Sequence, residues 1–473
     1  MEGKSGKAKY IVVGVVTAIL VGLVITYCYF ATYYEEHFLP GTVINGEDCG
    51  KADVQTVVPR LMLSTNRYTL EITGRRVSEP DREELLATVT ADDIDLVPVG
   101  LEQSVIGLLQ QQENWLWIKY LWTPEYRYDF ESDVAFNEGK LTAFLEDCKW
   151  YQKDNMIPPR DAYLDDYSES EKQFVIVPDT LGTQLDTAQV KQIIVDAILA
   201  KIPAVNLDES GCYKVADVTA QNQQLLSQLE KANLWLETQV TYDWNGNGVF
   251  LDRELLKDWI TIVDGEPVLD EEAVAGFVAE NAKAYDTYGK KRSFTTVSGS
   301  KITLPSGGYG WKTNRSQETQ DLIELIQNGK KVNKEPAYSV TAANKGSNDI
   351  GSSYVEINLS SQHLYLFKSG KIVFESDFVS GNVSRGFTTP AGVFGITYKT
   401  TDAVLRGDNY ETPVKYWMPF NGNIGMHDAT WRSEFGGEIY LTNGSHGCVN
   451  LPYSSAQTIY QYVSTGFPVV CYY

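Results

Sequence analysis

Near its C-terminal end the chain reads Gly425-Met426-His427-Asp428 and then Ser445-His446-Gly447-Cys448-Val449-Asn450, with 17 residues between His427 and Ser445. A cysteine nucleophile needs a reactive thiol, a nearby base and donors for the oxyanion that forms on the attacked carbonyl. Each need has a candidate here. Cys448 supplies the thiol, His427 the base, and His446, two residues from the thiol, can donate or orient. Gly447 lets main-chain amides approach a substrate oxygen closely. The stretch from Pro452 to Val463 reads as a helix, with proline in its first turn and Gly466 beyond its end. Such a helix would set Cys448 just before a positive N-terminus, which lowers a thiol pKa. A zinc site built from His427, His446 and Cys448 is the rival reading, and it lacks an obvious fourth ligand.

The same spacing resembles the H-x(15–17)-[S/T]-H-G-C-h-N signature of the L,D-transpeptidases, the YkuD-like enzymes that cross-link peptidoglycan. Flanking segments are similar to that family too: VEINLSSQHLY from Val355, FVSG from Phe378, and TPAGVF from Thr389. The resemblance spans about residues 354–473. It implies a mainly β, sandwich-like catalytic domain and no metal or organic cofactor. By the same resemblance, Cys448 attacks the carbonyl of the third residue of a tetrapeptide stem and D-alanine leaves. The side-chain amine of a neighbouring stem then resolves the thioester into a 3→3 cross-link. Carbapenem-type β-lactams are the implied inhibitors. His427, His446 and Cys448 carry the chemistry, while Gly447, Ser445, Asn450 and Asp428 serve the oxyanion or position substrate. Trp417, Trp431 and Arg432 are candidates for the substrate groove, Arg432 for a substrate carboxylate. Two other outcomes stay open: an L,D-carboxypeptidase that passes the thioester to water, and a wall-binding anchor with an idle thiol.

Other elements must bring this domain to its substrate. Ile11 to Ala31 is an uncharged apolar run of 21 residues, about the length that crosses a bilayer as a helix. Lys4, Lys7 and Lys9 precede it and Glu35 and Glu36 follow, so the N-terminus is expected in the cytoplasm and the rest outside, facing the wall. Its end, YCYFATYY, lacks the small residues of a signal-peptide cleavage site, and an uncleaved anchor is expected. The expected order is a tail (1–9), a membrane anchor (10–34), an α+β module (35–203), a second α+β module (204–338), a linker (339–353) and the catalytic domain (354–473). The helix expected from Thr187 to Ala200 and the TQDLIELIQ run from Thr319 suggest a loose duplication at an offset of roughly 115–130 residues. The two modules are similar to the peptidoglycan-binding modules that precede this domain in membrane-anchored members.

Composition limits the partners. With 40 Lys and Arg against 62 Asp and Glu, the net charge of −22 repels a phosphate backbone, so nucleic acid is excluded as a partner. Peptidoglycan stem peptides and the cell membrane are the partners expected. Asp243, Asn245, Asn247 and Glu254 match an EF-hand calcium pattern. The preceding LETQVTYDW alternates like a strand, however, and Asn-Gly-Asn-Gly is strong turn chemistry, so a hairpin is expected instead. Cys28 falls in the apolar run. For Cys49, Cys148, Cys212 and Cys471 the sequence does not choose between pairing and burial as small hydrophobes.

Overall fold

A computed structural model describes residues 5–123, 125–407 and 410–473. After the first helix, Ser5–Glu36, the chain forms two compact units, residues 1–163 with 177–220 and residues 164–176 with 221–473. Residues Lys7–Glu36 make a helix long and apolar enough to cross a membrane.

The duplication is visible in strand order. In the first unit, Thr69–Arg76 and Glu79–Thr90 form an antiparallel hairpin, and Ala204–Asn206 lies parallel to its first strand. In the second unit, Gln239–Trp244 and Asn247–Leu251 form the hairpin, and Lys331–Lys334 lies parallel to its first strand. A helix precedes the third strand each time, Thr187–Leu199 in one and Arg315–Gln327 in the other. At these helices the offset agrees with the sequence estimate. At the hairpins it widens to about 170 residues, because the first unit carries additional elements between Asp92 and Ala135. Periodicity placed these elements well: the Gln239–Trp244 strand alternates exposed and buried, and Thr187–Leu199 buries Val190, Ile194 and Ile198.

Two expected boundaries are corrected. A division at 203/204 would strip the first module of the strand Ala204–Asn206, together with Leu207, Cys212 and Tyr213, which sit in its core. Nor is 339–353 a free linker. Ser339 and Val340 belong to a strand, Tyr338–Val340, and Asp349 is fully buried against Arg292 at 2.7 Å. Composition could not show this, since small polar residues suit an ordered, hydrogen-bonded loop as well as a tether.

Within the second module, Glu318 is fully buried and accepts from the Tyr242 hydroxyl at 2.6 Å, the Lys334 ammonium at 2.9 Å and the Ala337 amide at 2.6 Å. Removing one partner of a buried ion pair strands the other charge. Glu318→Ala is therefore expected to destabilise this module by about 3–5 kcal/mol, read as a lowered melting temperature.

The last part of the chain packs two sheets face to face. The five-stranded sheet has the order Lys371–Asp377, His363–Lys368, Tyr354–Asn358, Pro468–Tyr472, Gly392–Gly395. The four-stranded sheet runs Thr400–Gly407, Tyr410–Asn421, Ile424–Asp428, Val449–Leu451. One core joins them: Val355, Ile357, Leu364 and Val469 from the first meet Met418, Met426, Val449 and Leu451 from the second. This is the sandwich-like β domain expected, with the helix Tyr453–Tyr462 lending Ala456 and Ile459 to the same core.

Candidate active site

The four-stranded sheet brings the two halves of the motif together. Ile424–Asp428 and Val449–Leu451 are neighbouring parallel strands in which His427 pairs with Asn450. Because side chains alternate along a strand, His427, Asn450 and Cys448 belong to one face. All three line a cavity of about 230 Å³ with Ser445, His446, Trp431 and Arg432.

His427 is buried, and its Nδ1 lies 2.8 Å from the main-chain oxygen of Asp428. A carbonyl only accepts, so Nδ1 carries the proton and Nε2 keeps its lone pair. The ring is held between two indoles, with centroids 5.8 Å from Trp417 and 5.9 Å from Trp431. Burial is the main cause holding its pKa below the ordinary histidine value, and the Arg432 charge adds to it, against the Asp428 contacts. Cys448 is half-buried, its Sγ 3.5 Å from the Asn423 oxygen. Burial pushes the thiol up to about 11, opposed in part by the Gly425 amide.

That direction corrects the sequence expectation of a lowered thiol pKa. The helix does not begin beside Cys448: the strand Val449–Leu451 intervenes, and the helix runs Tyr453–Tyr462 with Pro452 as its cap. A helix terminus acts over about one turn, so burial prevails. Burial thus favours the neutral form of both groups, which line the same cavity.

The other motif residues build the loop. Ser445 Oγ donates to the Cys448 oxygen and accepts from the Gly447 amide at 3.0 Å. The amide of Gly447 is thereby occupied, which removes it from the oxyanion donors expected. Gly447 has φ +121°, a conformation that favours glycine, and its oxygen accepts from Thr389 Oγ at 2.7 Å. Ser380, in the FVSG segment, accepts from the Ser445 amide, and the Asn382 amide donates to the Ser445 oxygen at 2.8 Å. Thus the flanking segments brace the turn that carries Cys448. His446 is exposed, its ring 4.7 Å from Phe387.

Two expected roles change place. The Asp428 carboxylate accepts from the Tyr416 amide at 2.7 Å and does not line the cavity; its main chain is what touches His427. Trp417 is buried behind His427, its Nε1 donating to Tyr398, while Trp431 lines the cavity. Arg432 also lines it, half-buried, with Nε buried and without a hydrogen-bond partner. Asn450 Oδ1 is likewise buried and unpaired. Sequence reasoning missed Leu405 and Thr412, paired across the Thr400–Gly407 hairpin and lining the same cavity. Nothing local marks them, because the hairpin reaches the site only through sheet pairing.

Elsewhere, the calcium pattern folds as a hairpin turn, with Asn245 and Gly246 at φ +53° and +81°. Asp243 is ion-paired with Lys345 at 2.6 Å and Glu254 lies 3.3 Å from Lys257. Cys49, Cys148, Cys212 and Cys471 are all free thiols. A larger cavity of about 660 Å³ surrounds Arg292 and Asp349, but these two neutralise each other and neither cysteine nor histidine lines it.

Comparison with known proteins gives the class first. Residues 352–471 match the model of the L,D-transpeptidase catalytic domain, and residues 223–334 that of a "putative peptidoglycan binding domain". Among solved structures, the Ldtfm–avibactam carbamoyl enzyme is 34% identical over 53% of this chain and 99% of its own, with a TM-score of 0.44. A cysteine-to-serine mutant of an Enterococcus faecium L,D-transpeptidase is 33% identical over 52% and 100%, also with a TM-score of 0.44. The catalytic domain of an E. faecium L,D-transpeptidase acylated by ertapenem is 41% identical over 26% and 98%, with a TM-score of 0.24. Nothing among curated proteins matches. On the identity kept over the whole length of these relatives, the chain belongs to the L,D-transpeptidase family.

Proposed function

We propose that this L,D-transpeptidase is anchored in the membrane, faces the cell wall and forms 3→3 cross-links through a thioester on Cys448. The observation that carries this is the placement in one cavity of Cys448, just before the strand Val449–Leu451, and of His427 on the neighbouring strand, with His427 Nδ1 committed to a carbonyl. His427 Nε2 takes the thiol proton as Sγ attacks the carbonyl of the third stem residue. The proton then passes to the leaving amine as the C–N bond breaks and D-alanine departs. The incoming amine attacks the thioester, loses its proton to His427, and the thiol is restored. With Gly447 N–H occupied, the oxyanion donor is the Cys448 amide, and His446 and Ser445 shape the loop around it. The unpaired Asn450 Oδ1 suits a stem N–H. Carbapenems acylate the same thiol.

Loss of D-alanine from a tetrapeptide with appearance of a cross-linked dimer tests this reading; release without a dimer would mean a carboxypeptidase. Because burial lowers the His427 pKa, the base stays neutral below the usual histidine range. The acid limb of the kcat/KM profile is therefore expected at lower pH than 6.5, the ordinary value, and a limb above it would contradict the assignment.

Arg432 makes no ion pair among the described residues, and burial alone lowers its pKa. An unpaired guanidinium in the cavity wall fits a stem carboxylate. Arg432→Gln is expected to raise KM roughly 10–100-fold with a smaller effect on kcat, the loss of one charge-assisted hydrogen bond. Steady-state kinetics on the tetrapeptide checks it.

Three features support the uncleaved anchor. The helix runs unbroken to Glu36, and Asn114 Nδ2 donates to the Ala31 oxygen at 3.0 Å. Gln112 Nε2 donates to the His37 oxygen at 2.8 Å. Cleavage just after the apolar run would strip the Ala31 oxygen from Asn114 and cut the helix that leads into the Gln112 contact.

A further inference from the structure

Residues 114–122, NWLWIKYLW, carry a single charge, on Lys119. They pack as a short helical turn against the end of the first helix. Trp117 and Tyr120 turn inward and form a cluster with Ala31, Tyr34 and Leu39. Trp117 Nε1 donates to the Tyr27 oxygen at 3.1 Å, its ring lies 4.9 Å from Phe30, and the Tyr27 hydroxyl donates to the Trp115 oxygen. The other side is apolar and open: Trp115, Leu116, Ile118, Leu121 and Trp122 are all exposed, Trp122 by 77%. An open face of that composition on a short segment calls for a partner.

The level at which it sits identifies the partner. Ile11 to Ala31 rises about 30 Å as a helix, the thickness of a bilayer's hydrocarbon core. Tyr27, which holds Trp115, lies four residues, about 6 Å of rise, inside Ala31. Residues 114–122 therefore sit beside the helix where the apolar run meets the headgroups. Tryptophan and tyrosine favour that level because each ring is apolar with a polar edge. Lys119 can extend its ammonium to the phosphates.

Resting on the anchor reading above, we propose that the exposed face of residues 114–122 inserts into the outer interface of the phospholipid bilayer. It forms a second membrane contact beside the helix and fixes the first module against the membrane surface. Neither the anchor nor the catalytic chemistry requires this contact.

The test uses the full chain reconstituted in phosphatidylcholine–phosphatidylglycerol vesicles, with or without a phosphatidylcholine brominated near the top of its acyl chains. Bromine quenches indoles only at close range. The expected result is quenching of part of the emission of the ten tryptophans, with the quenched amplitude cut by about half or more in Trp115→Phe/Trp122→Phe. Phenylalanine keeps the apolar bulk, so the fold and the anchor stay intact. Equal quenched amplitude in wild type and variant would overturn the proposal, as would a dimer in which a second copy covers the two indoles. A chain that fails to float with vesicles at all would instead overturn the anchor reading.

Discussion

Cys448→Ala is expected to abolish both D-alanine release and cross-linking, a loss of about 10⁴-fold or more, because no second thiol lines the cavity. The side chain is small and its Sγ makes only weak polar contacts, 3.5 Å to the Asn423 oxygen and with the Gly425 amide, so the fold is expected to tolerate the change. The loop around it is held by Ser445, Thr389 and Asn382 through main-chain groups that alanine preserves. The measurement is turnover of a disaccharide-tetrapeptide beside a melting curve. Full loss of turnover with an unchanged melting temperature is the expected pair of results.

The second large effect concerns His427 and follows from the direction of the thiol shift. With a thiol at about 11, only about one molecule in 10⁴ is ionised at pH 7. A neighbouring base that takes the proton during attack removes most of that handicap. His427→Ala is therefore expected to slow acylation by about 10²–10⁴-fold at neutral pH. The sign of the pH dependence distinguishes this from simple misfolding. Without the base, thiolate supply limits the rate, so acylation by a carbapenem should rise about tenfold per pH unit between 7 and 10. The wild type should be nearly flat over the same range. Mass spectrometry of the acylated chain across pH reads both.

That Cys448 and His427 line one cavity was legible because one β strand and one loop segment carry their whole chemical pattern locally. So were the strands at Tyr354–Asn358 and His363–Lys368, whose Val355, Ile357, Leu364 and Leu366 alternate into one core. The hairpin of Thr400–Gly407 with Tyr410–Asn421 was not: its first strand is largely exposed or part-exposed, and Pro413 and Pro419 interrupt the pattern of the second. The thiol pKa was misjudged for a related reason. Sequence shows a proline and a helical period downstream, but not that three residues of strand separate Cys448 from the helix, nor that the thiol is partly withdrawn from solvent. Asp428 shows the same limit in another form. Its neighbour in sequence is His427, yet its carboxylate is spent on Tyr416, a contact made across the sheet. The unpaired Arg432 Nε and Asn450 Oδ1 likewise exist only in three dimensions, since a partner's absence leaves no mark in the sequence.

The most direct test of the central claim is mass spectrometry of the full chain, in detergent, incubated with a disaccharide-tetrapeptide beside Cys448→Ala. The account predicts a cross-linked dimer lighter by one D-alanine than two donors, together with free D-alanine, both absent in the variant. Tripeptide without dimer, or a dimer that persists in Cys448→Ala, would contradict it.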